Sequence, residues 1–154
     1  MCQTCGCANT NDPAKNALDS RTVEVMTGLL TANDEQAARN RDTLGRHDIL
    51  VINLMSSPGA GKTTLLEATA TRIPEDLRIA VIEGDLATEN DAERVRAAGF
   101  RAVQITTGSA CHLDAVMIAD AMTELDLHDI DILFIENVGN LVCPASFDLG
   151  QHLN

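Results

Sequence analysis

A glycine-rich segment in the first half of the chain has the residues and spacing of a phosphate-binding loop. It reads Ser56-Ser57-Pro58-Gly59-Ala60-Gly61-Lys62-Thr63-Thr64 and lies between an apolar run and a helical pattern. Its glycines let backbone N–H groups converge on phosphate oxygens. In such loops the lysine reaches the outer phosphates and the following hydroxyl binds Mg²⁺. The segment therefore predicts a nucleotide-binding P-loop at Pro58 to Thr64, in which Ser56 replaces the usual Gly or Ala.

Two acidic residues end later apolar runs and are candidates to complete a metal–triphosphate site. Asp85 ends Ile82-Glu83-Gly84-Asp85, and Glu136 begins Glu136-Asn137-Val138-Gly139. The second segment resembles the Asp-x-x-Gly loop that senses the terminal phosphate in GTPases, with Glu in place of Asp. Carboxylates at the carboxyl ends of strands are suited to hold Mg²⁺. We therefore predict Mg²⁺ at Thr63, Asp85 and Glu136, an amide contact from Gly139, and catalytic roles for Lys62, Asp85 and Glu136.

Three cysteines are clustered at the extreme N-terminus, in the order Cys2, Cys5 and Cys7. Three thiolates within six residues can surround one soft or borderline metal ion. Zn²⁺ favours a tetrahedron with a fourth ligand, whereas Ni²⁺ accepts a square plane that the α-amine could complete. No strand precedes the cluster, which argues against a thioredoxin-like redox site. The cluster therefore predicts a metal site.

A second set of candidate ligands follows two of the predicted strands. Cys111 and His112 come after one strand, and Cys143 comes seven residues after Glu136. Two thiols and an imidazole can form a Zn²⁺ or Ni²⁺ site, either within one chain or between two chains related by a two-fold axis. The spacing alone does not separate this interpretation from two small buried cysteines without a ligand role.

Hydrophobic periodicity predicts the elements that position these residues. Four continuous apolar runs indicate buried parallel strands, at residues 48–55, 78–82, 101–105 and 130–135. Helical patterns alternate with them, at residues 62–72, 89–98 and 112–125. The alternation predicts an α/β fold with a parallel sheet and flanking helices. We predict a flexible metal-binding tail at residues 1–19, a helical arm at 20–47 and a P-loop domain at 48–154.

Composition excludes several classes of function. The formal net charge is −12, and residues 114–136 contain seven acids and no Lys or Arg. Nucleic-acid binding requires clustered cations, so that role is excluded. No apolar run is long enough to span a membrane, and the N-terminus lacks the basic and apolar regions of a signal peptide. We therefore expect a cytoplasmic protein with reduced thiols.

Together these motifs resemble those of the hydrogenase nickel-incorporation GTPases, the HypB family, which belongs to the same P-loop group as the urease nickel chaperone. The resemblance covers nearly the whole chain and includes the unusual Ser56. It extends through the N-terminal cysteines, Asn40-Arg41, the P-loop, Ile82 to Asp85, Cys111 to Ala115 and Glu136 to Pro144.

This resemblance implies a P-loop GTPase, with Mg²⁺ and GTP, that couples hydrolysis to nickel insertion into the large subunit of [NiFe]-hydrogenase. It implies nickel at Cys2, Cys5 and Cys7, and nickel or zinc at Cys111, His112 and Cys143. It also implies a companion nickel chaperone and a nucleotide-dependent homodimer as partners.

Two departures from the family pattern qualify this expectation. The usual histidine-rich stretch is absent, so we expect no bulk nickel storage. The guanine-reading Asn-Lys-x-Asp motif is also absent, because Lys15 and Lys62 are the only lysines. The chain therefore resembles the front part of the family protein, with an incomplete sheet. The alternatives are a metal-binding module without turnover and a urease-type nickel GTPase, although the latter carries Cys-Pro-His in its metal loop.

Overall fold

The computed structural model describes residues 13–85 and 90–154. In these residues helices and strands alternate along the chain, as predicted. The helices are α1 (Pro13–Arg46), α2 (Lys62–Ala70), α3 (Asn90–Ala97) and α4 (Ala115–Met122). The strands are β1 (Leu50–Leu54), β2 (Ile79–Asp85), β3 (Arg101–Thr106) and β4 (Ile132–Glu136). Short 3-10 turns occur at Leu127–Asp129 and Pro144–Ser146.

The four strands form one parallel sheet in the order β1-β4-β2-β3. Ile132 of β4 is in register with Leu50 of β1 on one side and with Ile79 of β2 on the other. Because the strands are parallel, the segments that follow β1, β2 and β4 leave the sheet at the same edge. This arrangement confirms the predicted α/β fold with flanking helices.

Both faces of the sheet are covered by apolar side chains, as parallel sheets require. On one face, Leu44 of α1 and Ile118 of α4 pack in a cluster with Leu133 and Ile135 of β4. On the other face, Leu66 of α2 and Val95 of α3 pack with strand residues such as Val81. The two clusters hold α1 and α4 on one side of β4 and α2 and α3 on the other.

The arm helix is longer than the sequence predicts. α1 begins at Pro13 rather than near Ser20, so the predicted boundary of the tail is wrong for residues 13–19. Proline is well tolerated in the first turn of a helix, where its missing N–H would have no intrahelical partner. The chain divides into two compact units, Met1–Ala32 and Asn33–Asn154. In the first unit the apolar side chains of Val23, Val25 and Leu29 are largely exposed.

Helix α4 begins later than predicted, at Ala115 rather than near His112. The reason is a cap: the Asp114 side chain accepts a hydrogen bond from the Met117 N–H at 2.9 Å. Such caps satisfy N–H groups that the first helical turn leaves without partners. Cys111 and His112 therefore lie in the loop between β3 and α4, not in the helix.

Candidate nucleotide and metal sites

The predicted P-loop connects β1 to α2. Gly59 and Gly61 have φ angles of +71° and +93°, in the left-handed region that favours glycine. The N–H of Ala60 donates to the Ser57 carbonyl at 3.3 Å, and the N–H of Leu65 donates to the Gly61 carbonyl at 2.8 Å. The loop thus turns directly into the N-terminus of α2, where backbone N–H groups attract anions.

Thr63 and Glu136 meet beneath the loop. The Thr63 hydroxyl donates to Glu136 Oε1 at 2.8 Å, and both residues are buried. The second carboxylate oxygen, Glu136 Oε2, is buried with no hydrogen-bond partner in the part of the chain that the structure describes. A hydroxyl beside an unsatisfied carboxylate oxygen is a hard oxygen donor set, which is the type that Mg²⁺ prefers. These residues therefore fit a magnesium ion.

Gly139 closes the loop from the side of β4. A Cβ atom at this position would lie 2.9 Å from Pro58 Cα and 3.0 Å from Pro58 Cγ, closer than side chains tolerate. Glycine thus lets the segment after Glu136 run directly against the P-loop. The predicted sensor of the terminal phosphate is in contact with the loop that would hold the nucleotide.

A cavity of about 300 Å³ opens at this point. Six predicted residues line it, namely Gly59, Gly61, Lys62, Thr63, Thr64 and Glu136. Asp91 and Arg94 line it as well. Asp91 and Arg94 lie on α3, and no sequence motif points to either residue. The cavity therefore contains two cationic and two anionic side chains.

Arg94 is held at the rim of this cavity by two carboxylates. Its guanidinium donates to Glu67 Oε2 at 2.8 Å, to Asp91 Oδ1 at 2.9 Å and to the Thr64 hydroxyl at 3.3 Å. These bonds tie α3 to α2 beside the P-loop. Only the fold could reveal this contact, because Arg94 and Thr64 are 30 residues apart.

Asp85 ends β2 at the same edge of the sheet, as predicted, but it is not among the residues that line the cavity. Its backbone carbonyl accepts a hydrogen bond from the Thr107 N–H at 2.9 Å. The carboxylate of Asp85 contributes to raising the pKa of nearby Glu83. Residues 86–89, which follow Asp85, lie outside the described residues.

Burial raises the pKa values of two carboxyl groups under the site. The pKa of Glu83 is raised to about 8, first by burial and then by the negative charges of Glu136 and Asp85. Burial also raises the pKa of Glu136, while the hydrogen bond from Thr63 and the charge of Lys62 oppose this shift. The floor of the candidate site is therefore rich in poorly solvated carboxyl groups, an environment that a divalent cation would stabilise.

The three predicted ligands of the second site converge. The ligand atoms of Cys111, His112 and Cys143 all lie within 4.8 Å of one another. Cys111 Sγ lies 3.8 Å from His112 Nδ1. The structure thus brings together residues from two loops that are about thirty positions apart in the sequence. Thiol sulfur and imidazole nitrogen are donors that suit Zn²⁺ or Ni²⁺.

The two thiols interact with each other and with Asn140. The hydrogen bond with Cys111 lowers the pKa of Cys143, and Asn140 lowers it further. The same thiol pair raises the pKa of Cys111. Asn140 Nδ2 also donates to the Cys111 carbonyl at 3.3 Å, which ties the two loops together. One thiol of the pair is thereby favoured as a thiolate, the form that binds metals.

Asn137 connects the candidate nucleotide site to the candidate metal site. This buried residue follows Glu136 directly, and its Oδ1 accepts a hydrogen bond from the Leu113 N–H at 3.3 Å. Leu113 follows His112 in the other ligand loop. Asn137 Nδ2 donates to Asn53 Oδ1 of β1, also at 3.3 Å. The segment that carries Glu136 therefore contacts the loop that carries His112.

Cys2, Cys5 and Cys7, the predicted ligands of the tail site, lie outside the described residues. Among the residues that are described, no helix is long and apolar enough to cross a membrane.

The parallel sheet and the glycine loop between β1 and α2 define the class of protein: a P-loop nucleotide-binding domain. Residues 50–152 match the family described as CobW/HypB/UreG, nucleotide-binding domain, and the chain belongs to this family.

Named relatives make the similarity more specific. The hydrogenase maturation factor HypB of Escherichia coli (strain K12) is 54% identical over 146 residues, which cover 95% of this chain and 50% of that protein. The hydrogenase/urease maturation factor HypB of Helicobacter hepaticus is 50% identical over 141 residues, covering 89% of this chain and 57% of that protein. The chain spans about half the length of the curated relatives it matches.

Two solved structures are also similar. The crystal structure of HypB from Helicobacter pylori in complex with nickel superposes with a TM-score of 0.74 at 49% identity, covering 78% of this chain and 57% of that one. The hydrogenase maturation factor HypB from Archaeoglobus fulgidus gives a TM-score of 0.71 at 43% identity, covering 80% and 60%. The predicted family resemblance is therefore confirmed.

Proposed function

We propose that this chain is the nucleotide- and metal-binding part of a GTPase that delivers nickel to [NiFe]-hydrogenase. One observation carries the proposal: a single segment, from Glu136 to Cys143, leads from the candidate phosphate site to the candidate metal site. A change at the terminal phosphate could therefore move a metal ligand. The similarity to maturation factors supports nickel as the cargo and hydrogenase as its destination.

The chain's own residues would bind and orient the nucleotide. The N–H groups of the loop and Lys62 would hold the phosphates, and Thr63, Glu136 and Asp85 would hold Mg²⁺. When bound, Mg²⁺ supplies positive charge that stabilises negative charge on the transferring phosphoryl group. Gly139 would report the terminal phosphate because its backbone lies against Pro58. Asp91 and Arg94 are further candidates for contact with the phosphates or the attacking water.

Nickel would be held as cargo at Cys111, His112 and Cys143. Three protein ligands leave a position for a fourth donor, which suits a site that must exchange its metal. The hydrogen bonds that lower the pKa of Cys143 favour its thiolate form, while competition by protons would weaken binding as the pH falls. Zinc is a second candidate for the same donor set. The tail cysteines would form a separate nickel site.

The partners we propose are the hydrogenase large subunit, a companion nickel chaperone and, when nucleotide is bound, a second copy of the chain. The homodimer is supported by exposed apolar residues next to the metal ligands. Leu141 and Val142, which directly precede Cys143, are 53% and 78% exposed. Adjacent apolar residues exposed to this extent are suited to an interface. We place this activity in the cytoplasm, on the sequence arguments given above.

The experiment that tests the proposal measures nucleotide and nickel separately. Fluorescent GTP and Ni²⁺ are titrated into the wild type, Lys62→Ala and Cys111→Ala/Cys143→Ala, and phosphate release is measured on each. We expect Lys62→Ala to lose nucleotide binding and to retain nickel, and the double cysteine variant to lose one nickel equivalent and to retain nucleotide. Nickel binding with no phosphate release would favour the metal-binding module, and no binding of either ligand would refute both readings.

A further inference from the structure

The part of α1 that belongs to the second unit, residues 33–46, contacts the segments that directly follow both loops carrying the metal ligands. Asn40 is the central residue of this contact and is 1% exposed. Its Nδ2 donates to the Ala115 carbonyl at 2.7 Å and to the Leu149 carbonyl at 3.1 Å. Its Oδ1 accepts from Gln36 Nε2 at 2.8 Å. The amide of Asn40 is therefore fully hydrogen-bonded and bridges two distant segments.

Asn33, two turns earlier on the same helix, makes a second bridge. Its Oδ1 accepts from the Ala115 N–H at 2.9 Å, and its Nδ2 donates to the Asp148 carbonyl at 2.8 Å. Arg41 then pairs with both carboxylate oxygens of Asp148, at 2.7 and 2.8 Å. Three polar side chains of one helix thus hold Ala115, the first residue of α4, and Asp148, in the segment after Cys143.

The two bridged segments also fit closely against the helix. Gly150 has a φ angle of +92°, and a Cβ atom there would lie 2.8 Å from the Ala37 carbonyl oxygen and from Asn40 Cβ. Only glycine permits this approach, so the backbone at Gly150 packs directly against α1.

Each bridged segment leads within a few residues to a metal ligand. Ala115 lies three residues after His112, and Asp148 lies five residues after Cys143. The 3-10 turn Pro144–Ser146 and then Phe147 connect Cys143 to Asp148. The Phe147 ring stacks on the His112 imidazole, with ring centroids 3.9 Å apart and an interplanar angle of 25°. The two ligand loops are therefore joined at α1 and again at the imidazole.

We propose that Asn33, Asn40 and Arg41 of α1 are positioning residues for the metal centre. By fixing Ala115 and Asp148 on one rigid helix, they set the separation of Cys111 and His112 from Cys143. The inference rests on the proposed function in that it concerns the same three ligands. It adds that the arm helix, outside the P-loop, determines how well those ligands are preorganised. Outer residues that orient ligands commonly change metal affinity by about 10–100-fold.

The first measurement uses no metal. In a Cys2→Ala/Cys5→Ala/Cys7→Ala background, the remaining thiols, Cys111 and Cys143, are equilibrated with glutathione redox buffers. Formation of their disulfide consumes one oxidised glutathione and releases two reduced molecules, so the equilibrium constant gives the effective concentration of one thiol at the other. We expect Asn40→Ala to lower this value about tenfold.

Arg41→Ala is the milder variant, because its ion pair is half-exposed, with side-chain exposures of 42% for Arg41 and 37% for Asp148. It should lower the effective concentration about threefold while leaving the fold intact, so the inference stays testable if Asn40→Ala does not fold. The matched controls lie on the same helix. Leu44→Ala removes a buried side chain of the apolar core, and Arg46→Ala removes an exposed pair with Asp42. Both controls should stay within about twofold of the parent.

The second measurement is the Ni²⁺ affinity of the same proteins. It should be lower in Arg41→Ala than in the parent, and lower still in Asn40→Ala. An equal loss of effective concentration in Leu44→Ala and Asn40→Ala would overturn the inference, because general destabilisation would then explain both. An unchanged effective concentration in both Asn40→Ala and Arg41→Ala would overturn it too. If these two variants lower the effective concentration as expected but the parent binds no nickel, the positioning role stands and the proposed nickel function fails.

Discussion

Glu83 and Glu136 occupy register-paired positions on the neighbouring parallel strands β2 and β4, and both carboxyl groups are buried. Side chains in register on adjacent strands lie on the same face of a sheet, so each carboxyl group is close to the negative charge of the other. Glu136 has a hydrogen-bond partner in Thr63 and Glu83 has one in Gln104, but the Oε2 atom of each carboxyl group is buried with no partner in the described part of the chain. Two ionised carboxylates at these positions would repel each other, which favours the protonated form of Glu83.

This pair predicts a pH-dependent stability for Glu83→Gln without Mg²⁺ or nucleotide. The pKa of Glu83 is raised from 4.5 to about 8 in the folded protein. The folded state therefore holds the proton more tightly than the unfolded state. The contribution of Glu83 to the free energy of unfolding is fully present below pH 4.5 and is lost as the pH rises towards 8. Each pKa unit corresponds to about 1.4 kcal/mol.

Chemical unfolding at a series of pH values checks this prediction. Glu83→Gln should match the wild type near pH 4 and become more stable by about 2 kcal/mol or more at pH 9. Glu75→Gln is the control, because Glu75 is exposed and should show no such trend. A stability difference that does not change with pH would mean that Glu83 is ionised at neutral pH.

Much of the fold and part of the candidate site follow from sequence patterns. The continuous apolar runs predict the strands because a parallel sheet buries both faces, and the P-loop motif fixes where one strand must end and a helix begin. Asp91 and Arg94 could not be predicted, since a charged residue on a short amphipathic helix gives no signal of what faces it. The bridges from Asn33 and Asn40 were likewise hidden: each links residues at least 75 positions apart.

The contact between Thr63 and Glu136 predicts that nucleotide affinity depends on Mg²⁺ through Thr63. Thr63→Val removes the hydroxyl while keeping the side-chain volume. In the wild type we expect Mg²⁺ to raise nucleotide affinity about tenfold or more, which is about 1.4 kcal/mol. Thr63→Val should abolish this gain. Affinity in EDTA should change little. Titration of fluorescent GTP with and without Mg²⁺ measures the difference.

Thr64→Val is the matched control for this prediction. Thr64 is the next residue and is exposed, and its hydroxyl accepts a hydrogen bond from Arg94. Its variant should keep the Mg²⁺ dependence. Equal Mg²⁺ dependence in Thr63→Val and the wild type would remove Thr63 from the magnesium site.

The close approach of Gly139 to Pro58 predicts opposite effects for two glycine substitutions. Gly139→Ala would place a Cβ 2.9 Å from Pro58 Cα, so the P-loop or the segment after Glu136 must move. We expect a loss of about 1–3 kcal/mol in stability, together with weaker nucleotide binding. Gly45→Ala in α1 meets no atom within 4 Å and should stabilise the protein by about 0.5–1 kcal/mol. Thermal unfolding and GTP titration of both variants check the contrast; normal GTP affinity in Gly139→Ala would contradict it.

The N-terminal cysteines predict a nickel site that functions without the domain ligands. In a Cys111→Ala/Cys143→Ala background, Cys2, Cys5 and Cys7 are the only thiols left of the five in the chain. This protein should bind one Ni²⁺ with thiolate-to-nickel charge-transfer absorption, and the absorption should fade at low pH as protons compete for sulfur. Each single change to Ala should weaken binding about tenfold or more, because every thiolate is a ligand. Lys15→Ala, which removes a charge eight residues after Cys7 in the sequence but no ligand, should leave the absorption unchanged. If any one of the three cysteines can be changed to Ala without weakening nickel binding, the cluster is not a three-thiolate site.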